Sequence, residues 1–292
     1  MTHRRAVLTM IAVTLMWSIA GVVTRQLESA RSFEVTFWRS AFNAAALVLL
    51  LSAQRGPGAL WRDLAGGGRV LWLSGLCWCV MYTAFMVALT LTTVANVLVT
   101  MATAPLFTAL GARAVLGHRL ALRTWAAIGA AGAGIAWMYG GQVSAGDARQ
   151  LAGTAVALAV PVAAAVNWTL LQSQRTQPGS DMLPAVLIGA LLSALLTLPF
   201  ATPFAASAAD LGWLGLLGVV QLAVPCLLAV RAARVLSAPE ASLLSLLEVV
   251  FGVAWAWMGT RESPSAAALG GGLLVLGALA ADAAASMRRA RA

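Results

Sequence analysis

Runs of about 20 apolar residues recur from one end of this chain to the other, and no other feature constrains its fold so tightly. A run of that length crosses the hydrocarbon of a bilayer as one helix. In lipid every backbone amide has to find its partner inside the segment, so such a run cannot cross as irregular chain. Ten runs are legible, at roughly 6–25, 33–53, 70–89, 93–113, 123–141, 151–171, 183–203, 210–230, 239–259 and 266–286. The connections are too short for a soluble domain. Of the 292 residues, 61% are hydrophobic and only 10% charged, where soluble domains carry about a quarter charged. The expected fold class is an all-α polytopic membrane protein of ten transmembrane helices.

The net charge of +9 suggests nucleic acid at first sight, but its distribution argues against that partner. The chain has no lysine. If the N-terminus is cytoplasmic, one set of helix ends holds Arg4, Arg5, Arg55, Arg62, Arg69, Arg113, Arg119, Arg123, Arg175, Arg231, Arg234, Arg288, Arg289 and Arg291. The other set holds Arg25, Arg31, Arg149 and Arg261, with Arg39 just inside the second run. This asymmetry is the positive-inside pattern, and it places both termini in the cytoplasm. No basic face is large enough to track phosphates. The stretch MTHRR before an apolar run resembles a signal peptide. The run continues past Ala20 without a small-x-small site, so a retained first span is expected. Cys77, Cys79 and Cys226 all lie within runs and read as small packing residues, with neither disulfide nor metal spacing.

Residues 1–141 laid over 146–286 show weak but ordered similarity at an offset of about 142–145. ALTLTTVANVL at 88–98 meets AARVLSAPEASLL at 232–244, and Gly117 and Gly129 meet Gly259 and Gly271. Two domains are therefore expected, 1–141 and 146–292. Each holds five spans, an odd number, so the second enters the membrane inverted. Inverted repeats are a common build of secondary transporters, with the site near the midplane where the halves meet.

The sequence resembles the drug/metabolite transporter superfamily, specifically its EamA-type members. The likeness rests on LMWSIAGVVTR, FWRSAFNAAALVLLL, MATAPLFTALGARAVLGHRL and LLEVVFGVAWAWMGTRES. Within that group the tryptophan-rich first span is most similar to the YddG-type aromatic amino-acid exporters. The family's usual Gly-Glu pairs are replaced here by Gly117-His118 and Gly259-Thr260, and Leu247-Glu248 is followed by Val249 rather than proline. Any mechanism that leans on those carboxylates is not carried over.

Residues three and four apart share a helix face, so polar side chains at that spacing can line one cavity. The candidate cavity residues are Trp17 and Ser18 in the first span, Trp78 and Tyr82 in the third, and Asn96 and Thr100 in the fourth. The sixth span adds Asn167, Trp168 and Gln172, the eighth Gln221, and the ninth Ser245, Glu248 and Trp255. Gly21, Pro105, Pro161, Pro225 and Gly252 are candidate hinges, the prolines because each lacks a backbone donor. Small and hydroxyl residues on such faces also serve simple helix packing, and tryptophans also form interfacial belts. Arg39 reads as a guanidinium that snorkels to headgroups or binds backbone carbonyls. Glu240 suits the first turn of the ninth helix as a cap. Glu248, a carboxylate in mid-span, reads as a buried, hydrogen-bonded residue at the cavity edge, with a coupling role as the alternative. The fifth and tenth spans, rich in Gly and Ala, read as packing helices or a homodimer contact; a monomer is the other option.

These readings converge on a transporter of the bacterial inner membrane that exports small neutral or aromatic amino acids, or related metabolites, by alternating access. The export direction is implied by the resemblance alone. The alternative is proton-coupled efflux of hydrophobic cations, which would use Glu248 as the exchanging carboxylate. An enzyme is not expected: His3 and His118 sit outside the spans, and no H-E-x-x-H, G-x-S-x-G triad or Walker sequence occurs. No cofactor or metal is expected, and the partners are a small-molecule solute and the lipid bilayer.

Overall fold

The computed structural model describes residues 1–30, 32–116, 122, 125–127, 129–130, 132–134, 136–137, 148–174, 177, 181–259 and 266–291, and among them no strand occurs. The N-terminal half contains α1 (His3–Ser18), α2 (Ala20–Thr24), α3 (Ser32–Arg55), α4 (Pro57–Ala65), α5 (Arg69–Leu91), α6 (Val94–Met101) and α7 (Ala104–Leu116). The C-terminal half contains α8 (Ala148–Ala157), α9 (Ala159–Gln174), α10 (Leu183–Ala201), α11 (Ala208–Leu216), a π-helical turn over Leu217–Ala223, α12 (Val224–Ala233), α13 (Ala238–Gly259) and α14 (Ala266–Arg291).

Seven helical segments among the described residues are long and apolar enough to cross a membrane: His3–Thr24, Phe33–Arg55, Arg69–Leu91, Val94–Gly111, Ala148–Gln174, Leu183–Ala201 and Ala208–Ala233. They coincide with seven of the ten expected spans. α13 and α14 stand where the ninth and tenth are expected, and helical pieces between 125 and 137 where the fifth is. The Gly117-His118 pair and Thr260 lie outside the described residues. α4 lies in the connection between the second and third spans. Gly56 turns the chain into it at φ +82°, a backbone conformation that favours glycine. Leu60 and Leu64 face inward while Trp61 is exposed, which suits a short helix at an interface.

Three helix interruptions follow from proline chemistry. A proline at position i cannot donate to the carbonyl of i−4. Pro105 frees Met101, where α6 ends; Pro161 frees Ala157, where α8 ends; Pro225 frees Gln221, inside the π-turn. The first span breaks without a proline, at Ile19, after Thr14 and Ser18 turn their hydroxyls back onto the carbonyls of Ile11 and Leu15. Such local hydroxyl bonds compete with the helical ladder.

Association of helices in lipid depends on close packing and polar contacts, since lipid tails are as apolar as leucine. α3 lies against α10 and the π-turn, α5 against α10 and α9, and α1 against α13 and α12. Gly189 brings α10 so close to α5 that a Cβ there would stand 2.3 Å from the Trp78 Cβ. At Gly218 a Cβ would stand 2.7 Å from the Arg39 carbonyl oxygen, so the π-turn rests on the backbone of α3. Ser193 meets Ser40 at 2.8 Å and Thr83 at 2.9 Å, a hydroxyl cluster that joins α3, α5 and α10.

Two buried carboxylates fasten the halves at the end that carries Arg25. Asp210 accepts the backbone N–H groups of Glu28, Ser29 and Ala30 at 2.9–3.1 Å. It also accepts that of Ser207, in a reciprocal cap at the start of α11. Glu34 accepts those of Ala205 and Ala206 through one oxygen. At the opposite end Asp181 pairs with Arg55 and Arg234, Gln54 accepts from Arg231, and His3 meets Glu240.

Candidate substrate cavity between the two halves

A cavity of about 100 Å³ lies where helices of both halves meet, with room for several waters or a small organic group. Trp17 from α1, Trp78, Tyr82 and Phe85 from α5, and Trp168 from α9 give it aromatic walls. Asn167, Gln221, Ser242 and Ser245 add polar atoms, and Arg39 and Glu248 add charge. All four interrupted spans reach it, through Trp17, through Met101 and Ala104, through Val160 and Pro161, and through Gln221 and Leu222. Irregular backbone at membrane depth is tolerated where it lines such a space.

Arg39 is the polar centre of the site, and of its two expected duties it binds a backbone carbonyl rather than snorkelling. It is 2% exposed and reaches no surface, because α3 is held on both sides by α10 and the π-turn. Its Nη2 and Nε donate to the Gln221 Oε1 at 2.8 and 3.3 Å, and its Nη1 to the Tyr82 carbonyl at 3.4 Å. The guanidinium carbon stands 5.6 Å from the centre of the Phe85 ring, within the range of a cation–π contact. Gln221 donates in turn to the Trp17 carbonyl at 3.2 Å, one residue before the first span breaks. The π-turn created ahead of Pro225 thus presents one amide that joins α3 to the break in the first span. Widened turns of this kind occur often at functional sites.

Glu248 is 7% exposed and lines the same cavity from α13. Arg39 acts on it electrostatically, but among the described residues Glu248 has neither a hydrogen bond nor a direct ion pair. The expected hydrogen bond is therefore absent there, because the groups around it on the cavity wall are mostly carbon. Polar atoms of two other lining residues are unpaired too, the Trp78 Nε1 and the Tyr82 hydroxyl. The Tyr82 hydroxyl lies beside Cys226 and Asn43 without hydrogen-bond geometry to either. An unpaired buried polar atom costs about 1–3 kcal/mol.

Of the candidate cavity residues, Trp17, Trp78, Tyr82, Asn167, Trp168, Gln221, Ser245 and Glu248 line this space. Asn167 also accepts a 2.6 Å bond from Ser74. Five others lie elsewhere, each with its polar atoms engaged. The Asn96 amide donates to Thr92, and Thr100 to the Asn96 carbonyl, at the start of α6. The Gln172 side chain accepts the Ala238 N–H and so satisfies an orphan amide at the start of α13. Ser18 accepts the indole N–H of Trp255 at 3.1 Å, and Trp255 is 36% exposed outside the cavity. Among the candidate hinges the three prolines stand at interruptions. Gly21 and Gly252 are close-packing positions instead: a Cβ would stand 2.5 Å from Val94 and 2.6 Å from Leu98, and α13 runs unbroken through Gly252. Glu240 accepts the Ser237 N–H and hydroxyl and so caps α13.

Sequence spacing passed over Arg39, Ser242 and Cys226, which line the cavity. For Arg39 a signal existed, since an ionisable residue well inside a span is by default a functional candidate.

A solved crystal structure of a protein superposes on this chain with a TM-score of 0.63 at 20% identity, covering 98% of this chain and 99% of its own, which shows a shared fold. No curated protein matches the chain. The sequence model of the EamA-like transporter family matches residues 4–140 and again residues 151–281. The chain belongs to the EamA-like transporter family and is a membrane transporter of the drug/metabolite type.

Proposed function

We propose that this transporter exports small neutral or aromatic amino acids, or closely related metabolites, by exposing the cavity between its halves alternately to the two sides of a bacterial inner membrane. The observation that carries the reading is the convergence of aromatic and polar side chains from both halves on one buried space at membrane depth. Aromatic walls suit an apolar or aromatic side chain. Polar atoms without partners suit a solute with hydrogen-bonding groups at its other end. The arginine asymmetry supports cytoplasmic termini, and the outward direction of transport rests on the narrower resemblance to aromatic amino-acid exporters.

Efflux of hydrophobic cations is the second reading, and Glu248 among tryptophans is the observation in its favour. Arg39 weighs against it, because an organic cation in this space would sit beside a buried guanidinium. Counterflow into proteoliposomes with a panel of labelled amino acids, set beside quaternary amines, tests both. Saturable exchange of amino acids supports the first reading. Exchange of amines alone, driven by a proton gradient, replaces it with the second.

A further inference from the structure

We propose that Arg39 and Glu248 are the two poles of a zwitterion site: the Arg39 guanidinium binds the carboxylate of an amino acid and Glu248 its ammonium. The inference rests on the reading of the cavity as an amino-acid site and assigns the groups that read the solute's charges. Both side chains are more than nine-tenths buried, both line one cavity, and they come from opposite halves of the chain. They feel each other electrostatically, yet no direct ion pair joins them.

That geometry is the unusual part. Two unlike charges in a membrane interior gain most by closing on each other, and here each is kept on its own wall. Arg39 is held back by Gln221 and the Tyr82 carbonyl, which take three of its bonds. A guanidinium carries five N–H donors, so donors remain for a carboxylate. Glu248 has acceptors and nothing in hydrogen-bond contact with them among the described residues. A solute with a carboxylate and an ammonium on one carbon completes both. A simple amine satisfies Glu248 but faces Arg39, and a simple carboxylate has the converse fault. With Glu248 ionised by the ammonium it binds, the two wall charges cancel, so the loaded site favours a solute of no net charge, while Trp17, Trp78, Phe85 and Trp168 receive its side chain.

The test is calorimetric titration of the purified full chain in detergent with L-phenylalanine, phenethylamine and 3-phenylpropionate, which share a ring and differ only in the charged groups. The unmodified protein is expected to bind phenylalanine at least 10-fold more tightly than either analogue. Losing one charge-assisted contact corresponds to about 10- to 100-fold in affinity. Arg39→Met removes the advantage over phenethylamine and keeps that over phenylpropionate; Glu248→Gln does the reverse. Arg39→Lys and Glu248→Asp, which keep the charges, retain part of each advantage and stand in if the neutral variants do not fold. Equal weakening of all three probes by each variant overturns the pole assignment and leaves amino-acid transport standing. Failure of the unmodified protein to bind phenylalanine or any other amino acid overturns the transport reading itself.

Discussion

Asp210 offers the sharpest test of how the two halves are held together. Its Oδ1 accepts the Glu28 N–H, and its Oδ2 those of Ser29, Ala30 and Ser207. Asp210→Asn keeps the shape but leaves one oxygen. If that oxygen takes the Oδ2 position, three amides keep a neutral acceptor and the Glu28 N–H faces an NH₂ group. A bond to a charged acceptor is worth about 1.5–3 kcal/mol and a neutral one about half that. Glu28 and Ser29 are exposed enough for water to recover part of the loss. The net cost is therefore about 2–4 kcal/mol, which corresponds to roughly 5–15 °C in the unfolding midpoint of a domain this size. The intrinsic fluorescence of the 11 tryptophans, followed on heating in detergent, reads that midpoint. A shift under about 2 °C would refute the reasoning, because the four bonds would then carry no stability.

Gly218→Ala should be more damaging than Gly252→Ala by about 1–3 kcal/mol, since the new Cβ meets backbone of α3 at Gly218 but only the flexible end of Leu98 at Gly252; the same melting assay orders them. Gln221→Leu deprives Arg39 of two bonds and the Trp17 carbonyl of one. It should raise the KM for solute about 10-fold or more in proteoliposome uptake, and Gln221→Glu, which pairs with Arg39 directly, should compete with a carboxylate for it. Trp255→Phe removes only the bond to Ser18. It should leave KM unchanged and cost about 0.5–1.5 kcal/mol of stability; a changed KM would place Trp255 at the site after all.

The fold was legible because the bilayer simplifies the problem: apolar length alone marks a crossing, and three of the four broken crossings break at a proline. Face-sharing picked eight of the residues that line the cavity, since Trp78 and Tyr82, or Ser245 and Glu248, are about one turn apart on one helix face. It failed where a polar side chain has a nearer duty. Asn96 and Thr100 are bonded just before and within α6, and Gln172 accepts the first backbone amide of α13. Of the two duties expected of Arg39, the structure shows the backbone-carbonyl contact and not the snorkelling. Its depth suits snorkelling, and only the tertiary approach of Gly218 to its own carbonyl shows that another helix blocks the way out.

The two ends of the molecule are fastened by different chemistry, and that difference predicts which one opens first. At the Arg25 end, Asp210 and Glu34 hold backbone amides of the opposite half, in bonds that are buried and charge-assisted. At the other end the ties are between side chains that water reaches: Arg55 with Asp181, Arg231 with Gln54, and His3 with Glu240. Pairs of that kind contribute about 0–1 kcal/mol each, against about 1.5–3 kcal/mol for each bond to a buried carboxylate. Access should therefore be gained at the Asp181 end at lower cost, by separation of side chains that re-solvate as they part. Spin labels at exposed positions test this without touching the ties. A pair at Ala53 and Gln177 should give a broad, multi-component distance distribution in detergent, and a pair at Gln26 and Ala209 a narrow one. Broadening confined to Gln26 and Ala209 would show that the amide clamp, despite its stronger bonds, is the part that gives.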